Sequence, residues 1–257
     1  MIIINSDNND PTLPLATSLV TQIKALPSLV SWHRPTPDNL NPGNTQQGAP
    51  VIDLLNLKGT GGTFSNFTGD ASRPKYANGQ VNGRPGILFD GANDFLAQFN
   101  KSWILTNPWT MAVLYRADPS VALQAPLAAY DSNSVVTGIL QNGDAVSFRH
   151  GTGDLTMPAP RGQNTFVILS SDTVNIRARI NGVEGGPTPT NNVQPTNAPR
   201  MGSLDNGSTG LLKGPIMDVL FFADDLLGHD RATVSLLERY VTAPRIFAMP
   251  FTPLRAA

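Results

Sequence analysis

The chain has 257 residues, 40% of them hydrophobic and 14% charged, with a net charge of −1 at pH 7. That balance excludes a disordered chain and, with no basic block, the electrostatic footprint of a duplex-binding protein. With no cysteine present, disulfide frameworks, thiolate zinc sites and cysteine nucleophiles are excluded as well. No apolar run reaches the roughly 20 residues that cross a bilayer as a helix, so neither nucleic acid nor membrane is an expected partner.

The first residues lack the basic region and long apolar core of a secretory signal, and the expectation is a protein made and assembled in a cytoplasm. Residues 1–28 read as an N-terminal arm. Ile2, Ile3 and Ile4 form an apolar triplet that needs cover, from a neighbour or as an edge strand of the same domain. Leu19 to Leu26 reads as a short helix that stops before Pro27.

Strand signals run from Leu29 onward, favoured by the 23 glycines and 22 prolines. Leu29–Trp32 is the first, followed by a polar loop from Pro35 to Pro50, then Val51–Leu55 and a glycine turn at 59–62. Ile87-Leu88-Phe89 and Phe95–Phe99 flank an Asp90-Gly91 turn, in which glycine supplies a positive φ and aspartate bonds its own backbone. Thr110–Tyr115 reads as a strand buried on both faces. Leu127–Tyr130, Val135–Leu140, Ala145–Phe148 and Thr165–Ser170 continue the series. Val174–Ile180 alternates strictly, with Arg177 and Arg179 on its wet face, and ends at Asn181-Gly182, a strong hairpin signal. Gly185–Pro199 is too rich in proline for a central strand and reads as a long exposed loop. Ile216–Phe222 is the last strand. Asp230 then caps a helix whose buried face is Val234, Leu237 and Val241, ended by Pro244.

Four landmarks in this order resemble the laminin-G-like, concanavalin A-like domains. They are the opening strand with Trp32, the Asn82-Gly83-Arg84-Pro85 approach to Phe89-Asp90-Gly91, the strand Trp109–Val113, and Met217–Phe222 leading to Asp230-Arg231 and Leu236–Tyr240. The resemblance covers about Leu29 to Val241. It implies an all-β, two-sheet antiparallel jelly-roll sandwich over residues 29–243, with one short C-terminal helix and an extended tail at 244–257.

Domains of this family occur in bacteriophage virions, glycan-binding modules and β-glucan hydrolases. The hydrolases carry paired glutamates on one strand face. This chain has only Glu184 and Glu238, one after a hairpin turn and one in the helix, so the expectation is no enzyme activity. His33, His150 and His229 are scattered, and His150 reads as a strand-end surface residue. Asp90, Asn93 and Asp94 form a candidate calcium site, as related domains hold calcium near a sheet edge; the other reading is that they close the turn themselves. Trp103 and Trp109 flank Asn107-Pro108 and form a candidate glycan platform, with core filling as the alternative.

These readings converge on a non-enzymatic virion protein, a capsid decoration or head or tail accessory subunit. Its expected partners are other virion proteins and copies of itself, through Ile2, Ile3, Ile4, Pro187, Pro189 and Phe251. The alternative is a carbohydrate-binding module for host-surface glycans.

Overall fold

The computed structural model describes residues 18–40, 46–59, 62–66, 68–98, 108–130, 136–191, 198–205 and 208–243. Sixteen strands lie among them: β1 Leu29–His33, β2 Asp53–Leu54, β3 Phe64–Ser65, β4 Lys75–Val81, β5 Arg84–Asp90, β6 Leu96–Gln98, β7 Trp109–Tyr115 and β8 Leu123–Tyr130 come first. They are followed by β9 Val136–Asn142, β10 Ala145–His150, β11 Gly153–Pro158, β12 Thr165–Ser171, β13 Asn175–Ile180, β14 Val183–Pro189, β15 Arg200–Met201 and β16 Lys213–Phe222. The helices are α1 Leu19–Lys24, α2 Leu226–His229 and α3 Arg231–Thr242.

Two antiparallel sheets result. One runs β14-β13-β12-β7-β16-β5-β4, and the other β11-β10-β9-β8-β15-β6-β3-β2. The ten-residue strand β16 is shared lengthwise on one side. Its first half pairs with β5 and its second half with β1. The all-β sandwich implied by the sequence landmarks is therefore the fold.

Alternation builds the layer between the sheets. Ile87, Phe89, Met111, Val113, Tyr115, Val167, Leu169 and Phe221 point inward from the first sheet and meet Leu127, Ile139, Val146 and Phe148 of the second. Each large apolar side chain removed from water contributes about 1.5–3 kcal/mol. A polar tie crosses this layer where Tyr115 donates its hydroxyl to Gln141 Oε1 at 2.9 Å. Gln141 in turn spends its amide on the carbonyls of Gly143, Ala145 and Ala159.

The opposite face of the first sheet is covered by the three helices. Leu114, Phe166, Ile168, Leu220 and Phe222 pack there against Ile23 of α1, Leu226 and Leu227 of α2, and Val234, Leu237 and Val241 of α3. This second cover explains why all seven residues of β7 are buried. Asp230 caps α3 as expected, accepting the Thr233 N–H at 3.0 Å. Under α3 lies a buried polar knot. Asp218 Oδ1 accepts Trp32 Nε1 and the Tyr240 hydroxyl, both at 2.9 Å, while Arg84 Nη1 stands 3.4 Å from Oδ2.

Two expectations need correction, and one turn is placed more closely. Residues 185–189 of the supposed loop belong to β14, the outermost strand of its sheet. Proline is tolerated there because an edge strand's outward N–H groups have no ladder partner to lose. The Asp90-Gly91 turn has the expected positive φ at Gly91 and carries the chain from β5 in one sheet to β6 in the other. Two hairpin turns, Asn82-Gly83 and Asn181-Gly182, each have two positive φ angles. Arg177 and Arg179 do not face open water. They pair with Asp225 at 2.8 Å and Glu238 at 2.7 Å, beneath α2 and α3.

Candidate functional site

The outer face of the first sheet is not covered along its whole length. In β5, Ile87 and Phe89 turn inward, so Leu88 and Asp90 turn outward. The register sets Pro215 and Lys213 of β16 opposite Leu88 and Asp90, and Lys75 of β4 on the other side of Leu88. Opposed residues of neighbouring strands share a face, and these five floor a groove of about 460 Å³. No helix residue lines it. Leu88 is 39% exposed at its centre.

One wall is the segment that leaves β7. Arg116 N–H donates to Pro215 O at 3.0 Å and Asp118 N–H to Lys213 O at 2.8 Å, so this segment continues beside β16. Glycine makes that approach possible. Gly214 has φ +137°, and a Cβ there would collide with the Arg116 carbonyl oxygen.

Charges ring the apolar floor. Lys213 Nζ lies 3.2 Å from Ser120 Oγ and 3.6 Å from Asp118 Oδ2. Hydrogen bonds from Ser120, then Lys213, hold the Asp118 carboxyl below the usual carboxylate range. Asp90 Oδ1 accepts the N–H groups of Ala92 at 2.8 Å and Asn93 at 3.3 Å. Asp94 Oδ2 accepts the Asp90 N–H at 2.9 Å. The candidate calcium ligands are thus adjacent; the Asp90 and Asp94 oxygens close the turn, while Asn93 Oδ1 is buried with no hydrogen-bond partner among the described residues. Among the described residues no group of three or more histidines or carboxylates is arranged to hold a metal.

Burial, with the Asp90 charge second, pushes the Asp94 carboxyl up to about 6 from an ordinary 3.8. The fold favours the protonated form, so this group's contribution to stability is full below pH 3.8 and is lost as pH rises through about 6. Asp94→Asn stays neutral and keeps an oxygen for the Asp90 N–H. It is expected to exceed the wild type in stability at pH 7 by about 1–3 kcal/mol, and to match it at pH 3.5. Urea unfolding at both pH values reads the difference, and a constant offset refutes the raised carboxyl.

The other candidate residues behave differently. Trp109 is fully buried at the start of β7 and packs edge-on against His150, with ring centroids 5.1 Å apart. It offers no ring to a sugar, because β7 is covered on both faces, and its reading as a platform is corrected to core. His150 is likewise buried rather than on the surface, with Nδ1 3.0 Å from Thr137 Oγ1. Pro187 and Pro189 lie exposed on β14. Ile2, Ile3, Ile4, Trp103 and Phe251 lie outside the described residues.

The two glutamates come together, bridged by Arg179. Glu238 accepts its Nε at 2.7 Å, and Glu184 lies 3.5 Å from its Nη1. Glu184 also takes both Nη atoms of Arg231 at 2.7 Å. Those bonds from Arg231 hold the Glu184 carboxyl below its ordinary range. A glycosidase acid needs a raised carboxyl, and Glu184 is held the other way.

The groove residues Lys75, Leu88, Arg116 and Lys213 were not singled out in the sequence. The one local signal was Leu88, which alternation places outward between two inward residues.

No family model matches the chain, and no curated protein matches it. Solved structures share its fold. Trypanosoma rangeli sialidase in complex with sialic acid superposes at a TM-score of 0.58 with 8% identity, over 83% of this chain and 33% of the sialidase. The binding domain of botulinum neurotoxin serotype D superposes at 0.58 with 9% identity, over 80% of this chain and 51% of that one. This chain therefore spans about a third of the first and half of the second. At such identities the likeness establishes the β-sandwich fold and nothing finer.

Proposed function

We propose that this chain is a non-catalytic, glycan-binding β-sandwich domain and that the groove around Leu88 is its binding site. The observation that carries the reading is the groove itself, an apolar strip of Leu88 and Pro215 ringed by Lys75, Asp90, Arg116 and Lys213. A pyranose has the matching character: C–H groups on its faces for the strip, hydroxyls at its rim for alternating donors and acceptors. Fold analogy adds support, since two structures of this shape are a sialidase bound to sialic acid and a toxin's binding domain. The Arg-bound state of Glu184 and Glu238 argues against hydrolysis at those residues.

A glycan array tests the reading. Leu88 is exposed, so Leu88→Glu leaves the fold intact while placing a charge on the strip. The variant is expected to lose at least tenfold in binding to whatever glycans the wild type selects, with an unchanged melting temperature. Equal signals from both proteins move the site elsewhere. No selective signal from the folded wild type overturns the reading.

Attachment to a virus particle is the second reading. The exposed strand β14 with Pro187 and Pro189 favours it. A partner there meets side chains rather than a hydrogen-bonding edge, since proline has no N–H to offer.

A further inference from the structure

The charges of the groove are unevenly satisfied, and that unevenness points to the ligand's chemistry. Each aspartate already has donors. Asp90 and Asp94 take backbone N–H groups of their own turn, and Asp118 takes Ser120 and Lys213. Lys213 is spent on Asp118 and Ser120. Two cations remain. Arg116 makes a single side-chain contact among the described residues, Nη1 to the Gln80 carbonyl at 3.5 Å, and no carboxylate lies within 4.0 Å of it. The Lys75 side chain, exposed beside Leu88, makes no hydrogen bond and no ion pair within 4.0 Å among the described residues, and its charge acts on the Asp94 carboxyl only at longer range.

The positions of these groups give the groove a direction. Arg116 reaches over β16 and β5 to Gln80 of β4, and Gln80 packs on Gly86. Asp90 and Lys213 lie opposite one another at the other end of β5. The strip of Leu88 and Pro215 lies between, with Lys75 at its flank. A guanidinium with unused N–H groups is a planar fork that matches a carboxylate bidentately, while a lysine acts as a flexible point charge.

We propose that the groove takes a carboxylate-bearing saccharide, a sugar acid rather than a neutral glycan. The carboxylate sits on Arg116 with Lys75 adding attraction, and the hydroxyls lie toward Asp90 and Asp94. This rests on the glycan-binding reading above and specifies its ligand class.

The test uses an array of neutral, sulfated and carboxylated glycans, followed by titration calorimetry on the strongest binder and on the same glycan with its carboxyl reduced to the alcohol. Selective signals are expected on carboxylated glycans. Reduction of the carboxyl is expected to weaken binding at least tenfold, as is Arg116→Gln, whose half-exposed side chain leaves the melting temperature unchanged. Arg116→Lys is expected to restore the charge but only part of the affinity, because the fork is gone. Raising the salt concentration is expected to weaken the wild type more than Arg116→Gln. Selective binding of neutral or only sulfated glycans through Leu88, insensitive to Arg116→Gln, overturns the sugar-acid inference and leaves the glycan-binding reading standing. No selective binding of any glycan overturns both.

Discussion

Asp218→Ala is expected to lower the unfolding free energy by about 3–5 kcal/mol, a large share of what a domain of this kind has. The carboxylate is fully buried between the first sheet and α3 and collects three donors, from Trp32, Tyr240 and Arg84. Burial pushes its carboxyl above the ordinary range while the nearby Arg84 charge pulls it back. Arg84 is equally enclosed, with its guanidinium carbon 3.9 Å from the centre of the Tyr240 ring. Removing the carboxylate strands that cation, and an unpaired buried charge costs far more than the pair contributes. The knot also joins β1, β5, β16 and α3, so the loss is cooperative. Urea denaturation measures it, with Arg84→Met/Asp218→Leu as the informative partner. An apolar replacement of both members is expected to recover most of the stability. A loss below about 1 kcal/mol in the single variant is incompatible with this account of the knot.

Trp109→Ala is expected to cost about 3–5 kcal/mol and to leave glycan selectivity unchanged in whatever fraction remains folded. The indole lies in the layer between the sheets, beside His150 and far along the strand from Arg116. Guanidinium unfolding together with array binding at low temperature separates the two effects. Loss of binding at full stability would return Trp109 to the role of a platform.

The fold was legible where local pattern and tertiary environment agree. The strict alternation before Asn181-Gly182 became β13 with Ile176, Ala178 and Ile180 buried. The continuous apolar run at 110–115 became the doubly covered β7, and Asp230 capped its helix. Legibility failed where a residue's fate is set by distant chain. Prolines at 187 and 189 rule out an interior strand but allow an edge, and only the neighbour β13 decides. His150 reads as a surface residue from its neighbours, and Trp109 as either an exposed platform or a core filler, yet both are fully buried and pack on one another. The groove was the least legible feature. Lys75, Leu88, Arg116 and Lys213 meet through strand register, with no spacing or motif linking them.

The pairing of β1 with the far half of β16 bears on biosynthesis. Trp32 and Asp218 join residues 186 positions apart, and Leu29 lies opposite Phe222. On a ribosome, the first of these strands emerges long before its mate. Until β16 appears, the indole and the apolar side of β1 stand open to the solvent, and such long-range closure is slow. A nascent chain arrested before residue 213 is therefore the species that a holdase would recognise, and release past that point lets the sheet close.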